Sequence, residues 1–135
     1  MTPRAVFEPA MGQPMSPDLR RIVIVEAHRR RSGRCPLRVH SLGTGETFDI
    51  KPAADGFYDV ASGATVRING TQIVLADGRG PIDLALVGDV GFDGFEHAGR
   101  EPFFGRAGGG ASVTLYDRHR NDYYQYAIAS ETDHV

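Results

Sequence analysis

Three acidic residues in one glycine-rich stretch could bind a hard metal ion. They are Asp89, Asp93 and Glu96. Calcium is bound by oxygens at alternating positions of a loop in which glycine allows a sharp turn, and residues 89–94 follow the start of that pattern. The match departs in two places, because Gly91 at the third position has no side-chain oxygen and Arg100 stands where an EF-hand has its bidentate glutamate. Two interpretations stay open, an irregular calcium site or solvated acids that form local turns.

Two side chains could do acid–base or nucleophilic chemistry. His97 has Glu96 and Glu101 close to it in the sequence and could act as a general acid or base. Cys35 lies among arginines, which lower the pKa of a nearby thiol and favour the nucleophilic thiolate. Neither residue has a recognisable second catalytic partner. We therefore favour a protein without enzymatic activity and keep a small enzyme, with His97 or Cys35 in its site, as the third interpretation.

Aromatic residues are the main candidates for contact with a partner or ligand. The glycine-rich stretch contains Phe92, Phe95, Phe103 and Phe104, with His97, Arg100 and Arg106 among them, and the last strand-like segments contain Tyr116, Tyr123, Tyr124 and Tyr126. Aromatic and arginine side chains carry much of the energy at protein interfaces. Tyrosines on one face of a sheet suit either a protein interface or stacking against sugars.

These residues favour two functional interpretations, both ranked above the small enzyme. The first is a binding or assembly module, a subunit of a homo- or hetero-oligomeric complex that contacts protein partners through an N-terminal arm and the glycine-rich stretch. The second is a carbohydrate-binding, lectin-like module in which calcium could assist ligand binding. No cofactor is expected otherwise.

The glycine-rich stretch, residues 88–110, separates two strand-like segments, IDLALV and ASVTLYD. Its length and glycine content predict a long functional loop. Its phenylalanines argue against disorder, because disordered segments are poor in aromatic residues. Such a loop would present its aromatic side chains to a partner.

Short strand-like segments separated by turn signals fill most of the chain. The clearest hairpin has Asn69 and Gly70 as the two positions of positive φ in a type I′ turn, which places Val66 opposite Ile73. About eight to ten such strands predict an all-β fold. We expect a single-domain β-sandwich, either jelly-roll-like or a partly closed barrel, with one long loop rich in Gly and Phe.

The first 19 residues are rich in proline and methionine and predict an extended arm. Residues 16–18, Ser-Pro-Asp, are a typical helix start. The β-branched run Ile22 to Val25 favours a strand instead, and we expect one from Arg21 to Ala27. The β-sandwich domain would then cover residues 20–130, followed by a tail at 131–135.

Composition narrows the functional classes. The 135 residues are 41% hydrophobic with a net charge of −2, and the single cysteine excludes an internal disulfide. Arginine is concentrated between Arg20 and His40, where Glu26 is the one acid. That asymmetry favours docking onto an acidic surface, while the negative total argues against nucleic-acid binding. We expect no membrane span and no signal peptide, hence a cytoplasmic protein or part of an assembly built in the cytoplasm.

Overall fold

The computed structural model describes residues 15–117 and 121–129. Within these ranges the chain forms one helix, α1 (Pro17–Ser32), and ten strands. The strands are β1 (Arg38–Ser41), β2 (Thr47–Ala53), β3 (Gly56–Asp59), β4 (Ala64–Asn69), β5 (Gln72–Leu75), β6 (Ile82–Val87), β7 (Gly91–Glu96), β8 (Glu101–Ala107), β9 (Ser112–Asp117) and β10 (Asp122–Ala129). The prediction of an all-β fold is confirmed. Most of the predicted arm and all of the predicted tail lie outside the described residues.

All ten strands belong to one sheet that closes on itself. Each strand pairs antiparallel with its neighbours in the chain, and β1 pairs with β10 from Arg38–Ala129 to Ser41–Tyr126. The result is a closed up-and-down barrel, whereas a sandwich would have two packed sheets. Both architectures bury alternate residues of each strand, so the period-two pattern alone does not separate them.

Helix α1 lies inside the barrel. Residues 22–25 follow one another and are all 0% exposed, so every face of the helix is covered. The helix contacts β2, β3 and β6 through its arginines and also packs against β8 and β9. An eight-stranded barrel is filled by its own side chains, whereas wider antiparallel barrels can enclose a helix. Among the described residues, no helix combines the length and apolar character needed to cross a bilayer.

The predicted strand from Arg21 to Ala27 is wrong, and the helix-start signal before it is right. The Ser16 hydroxyl accepts a hydrogen bond from the Leu19 N–H at 3.2 Å, and Gly33 ends the helix with a φ of 79° and donates its N–H to the Arg29 carbonyl. A β-branched residue costs a helix at most about 0.7 kcal/mol, whereas burying its side chain contributes about 1.5–3 kcal/mol. The closed barrel offers no edge at which this segment could pair as a strand.

The barrel has two different ends, which we name by the helix terminus that lies at each. The N-terminal mouth contains the start of α1 and the end of β3, where Asp59 meets the helix. The C-terminal mouth contains the end of α1, where Arg30 reaches the turn between β4 and β5 and Arg31 reaches the turn between β6 and β7.

A buried ion pair holds the helix to the barrel wall at the N-terminal mouth. The Nε and Nη2 of Arg21 donate to the two carboxylate oxygens of Asp59 at 2.8 and 2.6 Å, and Nη2 also donates to Asp18 at 2.8 Å. The Ser62 hydroxyl donates to Asp59 at 2.5 Å. Burial acts to lower the pKa of Arg21, but its bonds to Asp59 and Asp18 raise that pKa overall. Both side chains are almost completely buried.

The arginines in the last turn of α1 bind the protein itself. Arg29 and Arg30 donate to the fully buried Glu26 at 2.8 and 2.7 Å, and Arg30 also donates to the Leu84 carbonyl. The guanidinium of Arg31 donates to three main-chain carbonyls, those of Gly88, Gly91 and Ala107. Cations at this end also complement the helix dipole. These arginines therefore do not form the free basic surface that we expected to dock onto an acidic partner.

Residues 88–110, predicted as a long loop, form the hairpin of β7 and β8. Across it Phe92 pairs with Gly105, and Phe103 pairs with Gly94. A Cβ atom at either glycine would collide with the opposing phenylalanine ring. The repeated spacing Phe-x-Gly is therefore a strand signal, in which each ring covers the glycine opposite it. The loop prediction failed because strand glycines at close backbone approaches resemble loop glycines in composition.

The hairpin of β4 and β5 is confirmed, but its turn lies one residue later than the predicted Asn69 and Gly70. The turn residues are Gly70 and Thr71, of which Gly70 has a φ of 64°. Glycine at the first central position is typical of a type II′ turn. Ile73 consequently faces Ile68, two residues from the expected partner. Because a shift of two preserves the alternation, the predicted inner face is unchanged.

Replacing Gly105 with alanine should destabilise the barrel. The new Cβ would collide with the Thr114 carbonyl and the Phe92 ring. We expect the free energy of unfolding to fall by about 1–3 kcal/mol, the usual cost of overpacking, measured by urea denaturation. Gly43→Ala is the control, since a Cβ at position 43 meets nothing within 4 Å. Equal urea midpoints for the two variants would contradict the importance of the Phe–Gly pairs.

Replacing Asp59 with asparagine should leave the buried Arg21 without its buried counter-charge, so that only the half-exposed Asp18 remains. Breaking a buried ion pair by removing one partner costs about 3–5 kcal/mol, and we expect a loss of that size in thermal or urea unfolding. Asp49→Asn removes the exposed partner of Arg38, a pair separated by 3.6 Å, and should cost no more than about 1 kcal/mol. Similar losses in both variants would show that burial does not govern the Arg21–Asp59 pair.

Candidate functional site

A cavity of about 640 Å³ opens at the N-terminal mouth. It lies between the start of α1, the loop joining β1 to β2, and the first half of β10. The residues that line it are Pro17, Arg20, Arg21, Ser41, Leu42, Gly43, Thr44, Glu46, Phe48, Asp122, Tyr123, Tyr124, Gln125 and Tyr126. Its volume is within the usual range of small-molecule sites.

Two stacked cation–aromatic pairs form part of the cavity wall. The guanidinium carbon of Arg20 lies 3.9 Å from the centroid of the Tyr124 ring, and that of Arg21 lies 4.1 Å from the centroid of the Phe48 ring. Arginine over an aromatic face is stabilised by the ring quadrupole, more strongly where water is excluded. These contacts hold two adjacent helix residues against β2 and β10. The wall is therefore built on regular elements, which position side chains more firmly than loops do.

One hydrogen-bond donor of Arg20 has no partner among the described residues. Its Nη1 donates to the Met15 carbonyl at 2.7 Å, while its Nε is buried and has no hydrogen-bond partner among the described residues. The neighbouring Tyr126 is 5% exposed, and burial raises the pKa of its hydroxyl, a shift that Arg20 opposes. The Tyr126 hydroxyl consequently stays protonated and can both donate and accept a hydrogen bond.

The outer part of the cavity is polar and open to water. Glu46, Asp122 and Gln125 are all exposed there, and Asp122 accepts a hydrogen bond from the Tyr123 N–H at 2.8 Å. Leu42 is 54% exposed beside them. Carboxylates can accept hydrogen bonds from a ligand, whereas the amide of Gln125 can donate and accept them. The cavity thus combines an aromatic wall with donors and acceptors of both kinds, an arrangement suited to binding.

The tyrosines predicted as binding residues lie on both faces of β10. Tyr124 and Tyr126 point inward to the cavity, and Tyr123 points outward. On the outside, the Phe104 and Tyr116 rings stack at 4.9 Å and 14°, and the Tyr116 and Tyr123 ring centroids are 5.9 Å apart. We call Phe104, Tyr116 and Tyr123 the outer aromatic row. It crosses β8, β9 and β10 through directly paired residues.

The phenylalanines of the predicted loop also separate by strand face. Phe92 and Phe103 are 2% and 3% exposed and belong to the barrel core. Phe95 and Phe104 occupy the alternate, outward positions of the same hairpin and are partly exposed. Arg106 lies outward and exposed on β8. Only the outward residues of this set are placed where a partner could reach them.

His97 has a different neighbour from those expected. Its Nε2 lies 2.8 Å from the Asp83 carboxylate, which also accepts from the Gln72 amide at 2.9 Å. The bond from Gln72, followed by that from His97, lowers the pKa of Asp83. Glu96 and Glu101, the expected neighbours, face inward and are both 3% exposed. The His97–Asp83 pair is half-exposed and does not line the mouth cavity.

The three candidate calcium ligands do not converge. Asp93 points outward from β7, whereas Glu96 points inward and accepts the Gly99 N–H with both carboxylate oxygens, at 3.0 and 3.1 Å. Asp89 lies in the turn at the opposite mouth, and Arg100 lies in the β7–β8 turn with a φ of 58°. In the described ranges no three His, Cys, Asp or Glu side chains cluster as a metal site would require. Calcium binding stays a prediction.

Cys35 is not the activated thiol that its arginine neighbours suggested. Burial raises the pKa of its thiol to about 11, and the opposing effect of Arg29 is smaller. A thiol with that pKa is protonated at neutral pH and is a poor nucleophile. Burial lowers the pKa of His28, which is 3% exposed and whose Nδ1 has no hydrogen-bond partner within residues 15–117 and 121–129. The charges near Cys35 can be read from the sequence, whereas the burial of its thiol cannot.

Sequence reasoning missed most of the mouth cavity. It singled out Tyr123, Tyr124 and Tyr126 as binding residues but not Arg20, Phe48 or Asp122. The signal that could have indicated the cavity was the helix start at residues 16–18, because it places Arg20 and Arg21 beside one end of the barrel. No protein-family model, no curated protein and no solved structure matches the chain. Function is therefore argued from the cavity and the outer surface alone.

Proposed function

We propose that this protein is a non-enzymatic binding module whose ligand occupies the cavity at the N-terminal mouth. The observation that carries the proposal is the cavity of about 640 Å³ that is lined by aromatic rings, two arginines and exposed carboxylates. Ligand sites are typically concave and largely apolar, with a few polar groups that orient the ligand. The cavity has that composition.

The two arginines of the cavity wall are already fixed by contacts within the protein, which favours ligand binding without a large rearrangement. Arg21 is fixed by Asp59 and Asp18, and its neighbour Arg20 is held between Met15 and the Tyr124 ring. Groups that are already fixed lose little conformational entropy when a ligand arrives. A ligand would therefore meet a formed site between α1 and β10.

The chemistry of the cavity favours binding over catalysis. Its tyrosine hydroxyls are poor nucleophiles, and Tyr126 is further from ionisation than a free tyrosine because burial raises its pKa. The protonated Cys35 and the His97–Asp83 pair do not line the cavity. The third interpretation, a small enzyme, thus gains no support from these residues.

Replacing Tyr124 with alanine should weaken ligand binding by about tenfold or more, because an aromatic anchor and the ring beneath Arg20 are both lost. Saturation-transfer NMR with a panel of small saccharides, carboxylates, phosphates and amines would identify a binder, and titration would give its affinity. Tyr58→Ala, at a partly exposed position on β3 outside the cavity, is the matched control. If no compound binds the wild-type protein, or if Tyr124→Ala binds equally well, the proposal is wrong.

A second candidate function is assembly with another protein or a second copy of the chain. The observation that favours it is the outer aromatic row, in which Tyr123 is 55% exposed next to the stacked rings of Phe104 and Tyr116. Exposed aromatic residues in a contiguous group are typical of interfaces. The predicted contribution of an N-terminal arm stays a prediction, since residues 1–14 lie outside the described part.

The double change Tyr116→Ser and Tyr123→Ser should reduce self-association without unfolding the barrel, because both side chains point away from the core. Size-exclusion chromatography with light scattering would show a lower mass for the variant than for the wild type. Tyr58→Ser is the control for loss of an exposed tyrosine elsewhere. A wild-type protein that is monomeric would exclude self-assembly through this surface.

A further inference from the structure

We infer that the ligand of the N-terminal mouth cavity is a neutral, hydroxyl-rich compound, a mono- or disaccharide. This inference rests on the proposed function and narrows it to one chemical class. It follows from three properties of the lining: its charges of both signs, its mixture of hydrogen-bond donors and acceptors, and its exposed aromatic and apolar rim.

The lining carries charges of both signs. Arg20, Arg21, Glu46 and Asp122 all line the cavity. Arg21 is already neutralised, since its guanidinium binds Asp59 and Asp18. Arg20 is thus the one arginine of the lining without a carboxylate partner among the described residues.

Charges of both signs in one lining oppose a charged ligand of either sign, and an anion most strongly. An anion would approach Arg20 but would also approach two exposed carboxylates, Glu46 and Asp122. A cation would meet those carboxylates but also the guanidinium of Arg20. Placing like charges close together costs free energy in both cases. A ligand without net charge avoids both costs.

The hydrogen-bonding groups match hydroxyls. A hydroxyl donates one hydrogen bond and can accept two. The carboxylates of Glu46 and Asp122 can only accept, Arg20 can only donate, and the tyrosine hydroxyls and the Gln125 amide can do both. Several hydroxyls on one compound could therefore be satisfied at once, whereas a compound with acceptors alone would leave the carboxylates unused. Hydrogen bonds to charged groups are also the stronger ones.

The rim supplies the apolar contact that a sugar ring needs. Tyr123 and Leu42 are 55% and 54% exposed at the cavity edge. Tyrosine offers an apolar ring face together with a polar tip, which suits a ligand that carries both C–H and hydroxyl groups. A compound with one flat C–H surface would cover these side chains while its hydroxyls reach the carboxylates.

The test is titration calorimetry of the full chain with glucose, galactose, N-acetylglucosamine and maltose, and separately with acetate, inorganic phosphate and choline. We expect at least one saccharide to bind and the charged probes to fail. Glu46→Gln and Asp122→Asn should each weaken saccharide binding by about tenfold or more, because each removes a charged acceptor. Asp49→Asn, an exposed carboxylate of β2 that does not line the cavity, should leave the affinity unchanged.

The outcomes separate the inference from the proposed function. Binding of acetate, phosphate or choline that depends on Tyr124, with no saccharide bound, would overturn the inference and leave the ligand-binding function standing. Saccharide binding that is unaffected by Glu46→Gln and by Asp122→Asn would also overturn it, because the site would lie elsewhere. If none of the probes binds the wild-type protein, the inference fails together with the cavity proposal.

Discussion

Enclosure of a helix by a closed sheet is the constraint on which this structure depends. The barrel has room for α1, and the helix supplies the apolar residues 22–25 that fill that space. Neither could be stable alone, because the helix would expose four β-branched side chains to water and the empty barrel would lose their packing. The Arg21–Asp59 pair then fixes the helix against the wall of the N-terminal mouth.

The same constraint explains how the charged residues are used. A helix inside a barrel can place long side chains only at its two ends, and the sequence puts arginines at both. At one end Arg30 and Arg31 satisfy main-chain carbonyls of the barrel. At the other end Arg20 has a buried Nε beside the cavity, with no hydrogen-bond partner in the part of the chain that the structure describes. At one mouth the arginines are thus engaged by internal hydrogen bonds, whereas the other mouth contains the cavity.

The sequence predicted the strands better than their arrangement. Alternation placed Tyr124 and Tyr126 on one face of β10 without deciding which face is inner, and turn chemistry identified the hairpin near Gly70, because both signals are local. Closure between β1 and β10 joins residues far apart in the chain, and no local pattern records it. The helix was missed because the β-branched run outweighed its start signal, although the cost of that run is small beside the gain from burial. The cavity could not be foreseen without the helix.

The order of the elements along the chain bears on how such a barrel can be assembled. The helix precedes every strand, and the seam between β1 and β10 joins the first strand of the barrel to the last. Hairpins between successive strands involve short loops and can form early, while the seam must wait for the end of the chain. The sheet can therefore close around the helix as the two form together, and no segment has to be threaded through a finished ring.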